Sequence, residues 1–229
     1  MNDHPNPWLA VPSEPPYFLP CDLERVQAFN KTHPDEKYFL QENVLPEPFI
    51  GSTEAPVVLL NLNPGYGDRD PEDHVRAEFQ ALLRNNYSQC PSDYPFYFLD
   101  PTFENGGRQW WERKLAHLLV EFDRKHLARS ILCIEYFPYH SRKFGHGSFE
   151  LSSQAFGFHL VRSAINRKAV VVVMRARKRW LKKVPELEAY QQGFTLNSPQ
   201  NVMVSPGNCP EDGFERVISA IRNGNTPDE

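Results

Sequence analysis

Apolar residues along the chain fall into short continuous runs, separated by stretches in which they recur every three or four positions. Val57-Val58-Leu59-Leu60, Ser130-Ile131-Leu132-Cys133-Ile134, the four valines Val170 to Val173 within Ala169 to Met174, and Asn201-Val202-Met203-Val204 have the length of strands buried on both faces. Between them the spacing predicts helices: a short one over Asp22 to Asn30, one over Asp73 to Asn85, and a long one over Gln109 to Leu127. Further helices are predicted over Leu151 to Asn166, after Arg175, and from about Pro210 onward. Pro210 suits a first helical position, and Glu211 and Asp212 complement a helix N-terminus.

Strands alternating with helices imply an α/β domain built on a mainly parallel sheet with helices on both faces. Residues 1–54 read as a proline-rich arm with one short helix, residues 55–222 as the α/β domain, and residues 223–229 as a tail. Ligands of such sheets bind beyond the carboxyl ends of the strands. That rule selects four loops: 61–68, 135–143, 175–179 and 205–209.

The 229 residues fit one domain with elaborations. No apolar run approaches the roughly 20 residues of a membrane span, and the first residues lack the basic-then-apolar order of a secretory signal. The expectation is a cytoplasmic protein. Cys21, Cys90, Cys133 and Cys209 are far apart in sequence and read as reduced thiols, with no C-x-x-C metal signature. No metal site is expected. The net charge of −4 hides a segregation: residues 107–183 carry 17 Lys and Arg against 5 Asp and Glu, while residues 1–106 carry 6 against 17. A basic central segment suits a polyanionic partner; the alternative is a set of solvated helix faces. The acidic remainder argues against nonspecific grip on long DNA.

Within the selected loops, Asn63-Pro64-Gly65 follows a strand directly. The glycine there permits close backbone approach or a positive φ, and the asparagine could orient a water or bind a ligand. The alternative is an ordinary strand-end turn. Tyr94-Pro95-Phe96-Tyr97-Phe98 could stack on a nucleobase, or tuck its rings beneath the loop. Glu135 sits where a carboxylate would point into the cleft, or pairs with a nearby Arg. His140 could act as an acid or base near neutral pH, or be a packed histidine. Ser205-Pro206-Gly207-Asn208 leads into a helix N-terminus, suited to an anion or to simple capping.

Taken in order, these segments resemble the uracil-DNA glycosylase superfamily, in particular its mismatch-specific and single-strand-selective branches. Asn61-Leu62-Asn63-Pro64-Gly65 resembles the first motif, Tyr94-Pro95-Phe96 the loop whose phenylalanine stacks on the flipped base, and Arg108-Gln109-Trp110-Trp111 the opening of the next helix. Glu135-Tyr136-Phe137-Pro138 occupies the place of the base-reading Asn, and Val204-Ser205-Pro206-Gly207-Asn208 that of the second motif. The resemblance implies a four-stranded, mainly parallel sheet in a three-layer α/β/α domain. It also implies hydrolysis of an N-glycosidic bond, without a cofactor, on a base extruded from the stack. Asn63 would position the attacking water, Tyr66 shape the pocket floor, and Phe96 stack on the base. Ser205 and Asn208 would hold the strand or the departing base. Arg142, with Arg175, Arg177 and Lys178, would meet phosphates.

Three departures shape the expected substrate. Asn61 replaces the glycine that opens the first motif. Ser205 replaces a His or Asn that stabilises charge on the leaving base. Glu135 replaces the Asn that reads uracil; an ionised carboxylate only accepts, so it suits an exocyclic amine and repels O4 of uracil. The expected function is therefore a DNA glycosylase-like hydrolase acting on an unusual or damaged base, single-stranded DNA included, rather than on plain uracil. The alternatives are a catalytically inactive relative that binds a nucleotide or nucleic acid, and a protein-interaction module using the basic helix.

Overall fold

Val57 to Leu60 and Val170 to Val173 do form strands, and they pair side by side. In the computed structural model, which describes residues 5–224, the strands are β1 (Phe49–Gly51), β2 (Val57–Asn61), β3 (Ile131–Glu135), β4 (Val170–Val173) and β5 (Gly193–Thr195). The helices are α1 (Leu23–Thr32), α2 (Asp70–His74), α3 (Ala77–Tyr87), α4 (Gly106–Lys114), α5 (Ala116–Glu121), α6 (Arg124–Ser130), α7 (Gln154–Asn166), α8 (Arg177–Lys183) and α9 (Gly213–Asn223). Residues 1–4 of the expected arm and 225–229 of the expected tail lie outside the described residues. Among the described residues no helix is long and apolar enough to cross a membrane, and the four cysteines are free thiols.

The chain resolves into two compact units. The first comprises Met1–Phe49, Leu62–Cys90 and Glu135–His159; the second comprises Ile50–Asn61, Pro91–Ile134 and Leu160–Glu229. The second carries the sheet, a mixed one in the order β1-β3-β2-β4-β5. β2 runs parallel to β4, with Leu59 opposite Val172, and β4 runs parallel to β5. Val57 to Leu60 are fully buried, as are Val171 and Val172. These unbroken β-branched and leucine runs are what a strand covered on both faces requires. Amphipathic α9 buries Phe214, Val217, Ile218 and Ile221 and packs on β2 and β4. α8 sends fully buried Trp180 inward, where its Nε1–H donates to the Asn61 carbonyl at 2.9 Å.

Four sequence expectations change. The sheet has five strands rather than four, because Phe49-Ile50-Gly51 adds a three-residue edge strand inside a proline-rich stretch, too short to show as a run. The strand after β4 is Gly193–Thr195, not Asn201 to Val204. Val202 and Val204 are buried as the run suggested, but their neighbourhood is satisfied without a ladder. The Val204 N–H donates to the Lys114 carbonyl at 2.9 Å, and the Asn208 side chain takes the carbonyls of Asn201 and Met203. The long helix over 109–127 breaks into α4, α5 and α6, with Phe122 extended and Asp123 capping α6 through the His126 N–H at 2.9 Å. Likewise the helix over 73–85 is interrupted at Arg76, which is extended between α2 and α3.

In the first unit the proline-rich segment is part of the packing. Trp8, Phe18 and Leu19 are buried, and Asn6 donates to the Tyr87 carbonyl at 2.7 Å. Tyr139 anchors this region. Its hydroxyl donates to the buried Asp22 carboxylate at 2.9 Å and accepts the Leu19 N–H at 3.0 Å, and Phe18 packs edge-on against its ring. Burial and the Asp22 charge push the Tyr139 phenol well above its ordinary range, so it stays a neutral donor.

Gly51 has φ +110°, and a Cβ built there would lie 2.2 Å from the Ile131 carbonyl oxygen. Gly51→Ala is therefore expected to destabilise the fold by more than the roughly 1–3 kcal/mol of backbone strain alone. Gly65→Ala, where a Cβ meets nothing within 4 Å, is expected to leave the urea unfolding midpoint unchanged. Equal midpoints for the two variants would contradict this.

Candidate functional site

Beyond Asn61 the chain has left the sheet, and its carbonyls must find other donors. Within the first unit they find them on the segment that follows β3. Leu62 O accepts from the Phe137 N–H at 2.8 Å, and Pro64 O from the Ser141 N–H at 3.4 Å. Gly65 and Ser141 form an isolated parallel bridge, and Gly65 O lies 2.6 Å from His140 Nδ1. Two strand-end loops are thus zipped together for several residues past their strands.

This pairing orients Asn63. Its Nδ2 donates to Pro64 O at 2.8 Å and to Ser141 Oγ at 3.1 Å. A backbone carbonyl can only accept, so the amide has one permissible orientation. Oδ1 is left as an acceptor with no protein donor among the described residues. Gly65 does not need the left-handed conformation allowed for it in the sequence; positive φ among the described glycines occurs at Gly51 and Gly147. What remains at Gly65 is an exposed backbone with open space where a side chain would stand.

Tyr66 is half-buried, with the Arg142 guanidinium 5.3 Å from its ring centre. Arg142 is exposed and ion-paired with Asp68 at 2.5 Å. Such a solvated pair stabilises little, and a phosphate could displace Asp68 from it. Glu135, the last residue of β3, is buried and donates its N–H to Pro48 O at 3.0 Å. His140 is buried, and burial pushes its pKa down, opposed by the Gly65 carbonyl. It is a packed neutral ring holding the Gly65 carbonyl, not a solvated acid or base.

The other expected residues belong to the second unit. Phe96 is fully buried, with its ring edge-on to Trp111 at 4.9 Å and its N–H on the Ala128 carbonyl. Arg177 and Lys178 are exposed in the first turn of α8, and Arg175 is half-buried before it. Ser205 is buried, and its carbonyl accepts from the N–H groups of Asn208 and Cys209. Asn208 is engaged within its own loop. Nδ2 donates to Asn201 O at 2.7 Å and Met203 O at 2.9 Å, and Oδ1 accepts the Ser198 N–H at 2.8 Å.

The sequence reading missed Ser141 as the partner of Asn63. The Glu135 to Arg142 segment was visible as a strand-end loop, but nothing in its composition says which loop it faces. It also missed Glu47 and His74, which come together with His140: each offers a ligand atom within 4.8 Å of the others'. They stand 27 and 66 residues apart in sequence, without a spacing signature.

Asn208→Ala would leave two carbonyls and one N–H without their partner. A loss of about 1–3 kcal/mol in stability is expected from unsatisfied buried groups, read as a lower urea midpoint. An unchanged midpoint would contradict the bracing role. Compared with known proteins, the chain matches no family model, no curated protein and no solved structure.

Proposed function

We propose that the chain is a DNA glycosylase-like hydrolase that cleaves the N-glycosidic bond of an unusual or damaged base. The observation that carries this reading is the set of Asn63. Its amide N–H groups are tied to Pro64 O and Ser141 Oγ, which turns Oδ1 away as a fixed acceptor. A fixed acceptor at a strand end can take a proton of a water and aim its lone pair at an anomeric carbon, the positioning such hydrolysis requires. The open backbone at Gly65 leaves room for close approach of a nucleotide. Tyr66 beside it offers an aromatic face, and Arg142 a cation for a phosphate.

The strand order β3-β2-β4-β5 within the sheet is compatible with a four-stranded glycosylase-like core carrying β1 as an added edge strand. Glu135, at the end of β3, would read the base; as a carboxylate it favours an exocyclic amine over the O4 of uracil. Within the second unit, Arg177 and Lys178 are exposed cations of a kind that suits DNA backbone contacts, with half-buried Arg175 before them. In this reading Phe96 supports its loop through Trp111 and contributes no stacking face of its own.

One observation favours a second reading, binding of a nucleotide or nucleic acid without cleavage. The Asn208 amide donors are both used internally, and Ser205 lacks the ring or amide that would stabilise a leaving base. The two readings separate on oligonucleotides, single- and double-stranded, carrying uracil, hypoxanthine or modified cytosines, assayed for abasic sites by alkaline cleavage. The hydrolase is expected to release an amino-bearing base. Asn63→Ala is expected to lower that rate about a hundredfold or more, Gly65→Ala to weaken it with stability intact, and Glu135→Gln to erode the preference for amino-bearing bases. Binding without abasic sites would establish the second reading, and neither binding nor release would reject both.

A further inference from the structure

Glu47, His74 and His140 come from three distant segments of the first unit: the stretch before β1, the last turn of α2, and the loop after β3. All three are buried, at 7%, 3% and 4% exposure. Their candidate ligand atoms all lie within 4.8 Å of one another, and the two imidazole rings meet edge to face at 5.2 Å. Two histidines and a carboxylate converging inside a protein are a costly arrangement for packing alone.

The hydrogen bonds say which nitrogens are available. His140 Nδ1 faces the Gly65 carbonyl at 2.6 Å and must carry the ring proton to do so. Its Nε2 is therefore the lone-pair nitrogen, buried and without a direct hydrogen bond among the described residues, with the Leu45 backbone also acting on the ring. A ligating histidine usually has this pattern, one nitrogen on the metal and the other N–H on a backbone carbonyl. His74 Nδ1 accepts the Leu45 N–H at 3.0 Å, so its proton sits on Nε2. A cation entering at either nitrogen exchanges that hydrogen bond for a metal bond and releases the Leu45 N–H. Asp70 adds negative potential at His140.

We propose that Glu47, His74 and His140 form a buried site for a divalent transition cation, of which zinc is the best fit to two imidazoles and one carboxylate. Tetrahedral zinc holds its ligands about 3.4 Å apart, so binding draws the three side chains closer. The cation cross-links residues 47, 74 and 140. Through the His140 Nδ1–H it also stiffens the Gly65 carbonyl and the turn that carries Asn63. The inference stands on these three residues and does not depend on the proposed hydrolase.

The test uses the full-length, untagged chain, dialysed against a chelator and titrated with cobalt(II) and with zinc(II). Expected are visible d–d absorption saturating at one cobalt per chain, and displacement of cobalt by zinc. At a hundredfold excess over Kd, zinc is expected to raise the melting temperature by about 5–10 °C. Glu47→Gln and His140→Asn, the latter able to keep a donor for Gly65, are expected to weaken binding tenfold or more. His117→Asn, at an exposed histidine, is expected to leave it unchanged. X-ray absorption of the zinc-loaded wild type is expected to show two imidazoles, which decides the ligand set even where a variant fails to fold. The proposal is overturned by no cobalt band and no thermal shift, by a zinc shell without imidazole pairs, or by binding that survives in Glu47→Gln and His140→Asn. Because every readout is binding or stability, loss of base release with metal binding intact would reject the hydrolase alone.

Discussion

At the end of β2 the ladder runs out, and how the carbonyl groups there and beyond are met decides what the candidate site is. Within the sheet-bearing unit, Leu60 O takes the Met174 N–H at 2.8 Å and Asn61 O takes the indole N–H of Trp180. Within the first unit, Leu62, Pro64 and Gly65 are met by Phe137, Ser141 and His140 in turn. A buried unpaired carbonyl would be costly, so the segment from Phe137 to Ser141 is bound to residues 62–65 in one register. Asn63 inherits its orientation from that register: once Ser141 is placed, its hydroxyl and the Pro64 carbonyl fix the side-chain amide.

Strands buried on both faces were legible because they write themselves as unbroken apolar runs. Val57 to Leu60, Ile131 to Ile134 and Val170 to Val173 all proved to be strands. Asn201 to Val204 shows the limit of that signal. An apolar run reports burial, not pairing; Val202 and Val204 are buried as expected, yet a side-chain amide and a helix-end carbonyl replace the ladder. β5 was missed for the converse reason, since Gly193-Phe194-Thr195 has one large apolar residue and a glycine. The breaks between α4, α5 and α6 leave the apolar period intact, so the spacing reads through them.

For the site, position was easier to read than partnership. Asn63 could be singled out because it follows a strand and precedes Pro-Gly, which is local information. His140 looked solitary because its partners are all remote: the Gly65 carbonyl is 75 residues away, and Glu47 and His74 reach it only through folding. None of the three has a helical or strand spacing to the others. Burial then separates two histidines: His117 is exposed on α5, while His140 is enclosed.

The two loops that the sequence matched to paired motifs have opposite hydrogen-bond states. In 197–208 the Asn208 amide uses both donors and one acceptor position on backbone groups of its own loop, and closes it. In 61–66 the Asn63 amide uses its donors and leaves Oδ1 unmatched, beside a glycine whose missing side chain leaves open space. A side chain already satisfied on every donor must break bonds before it can serve a ligand, at about 1–3 kcal/mol for each buried group left unpaired. An oriented acceptor with no protein donor can be engaged without breaking a protein hydrogen bond. Residues equivalent by motif are therefore not equivalent in chemistry: under the proposed function Asn63 is the one with an acceptor to offer, while Asn208 holds its own loop in shape.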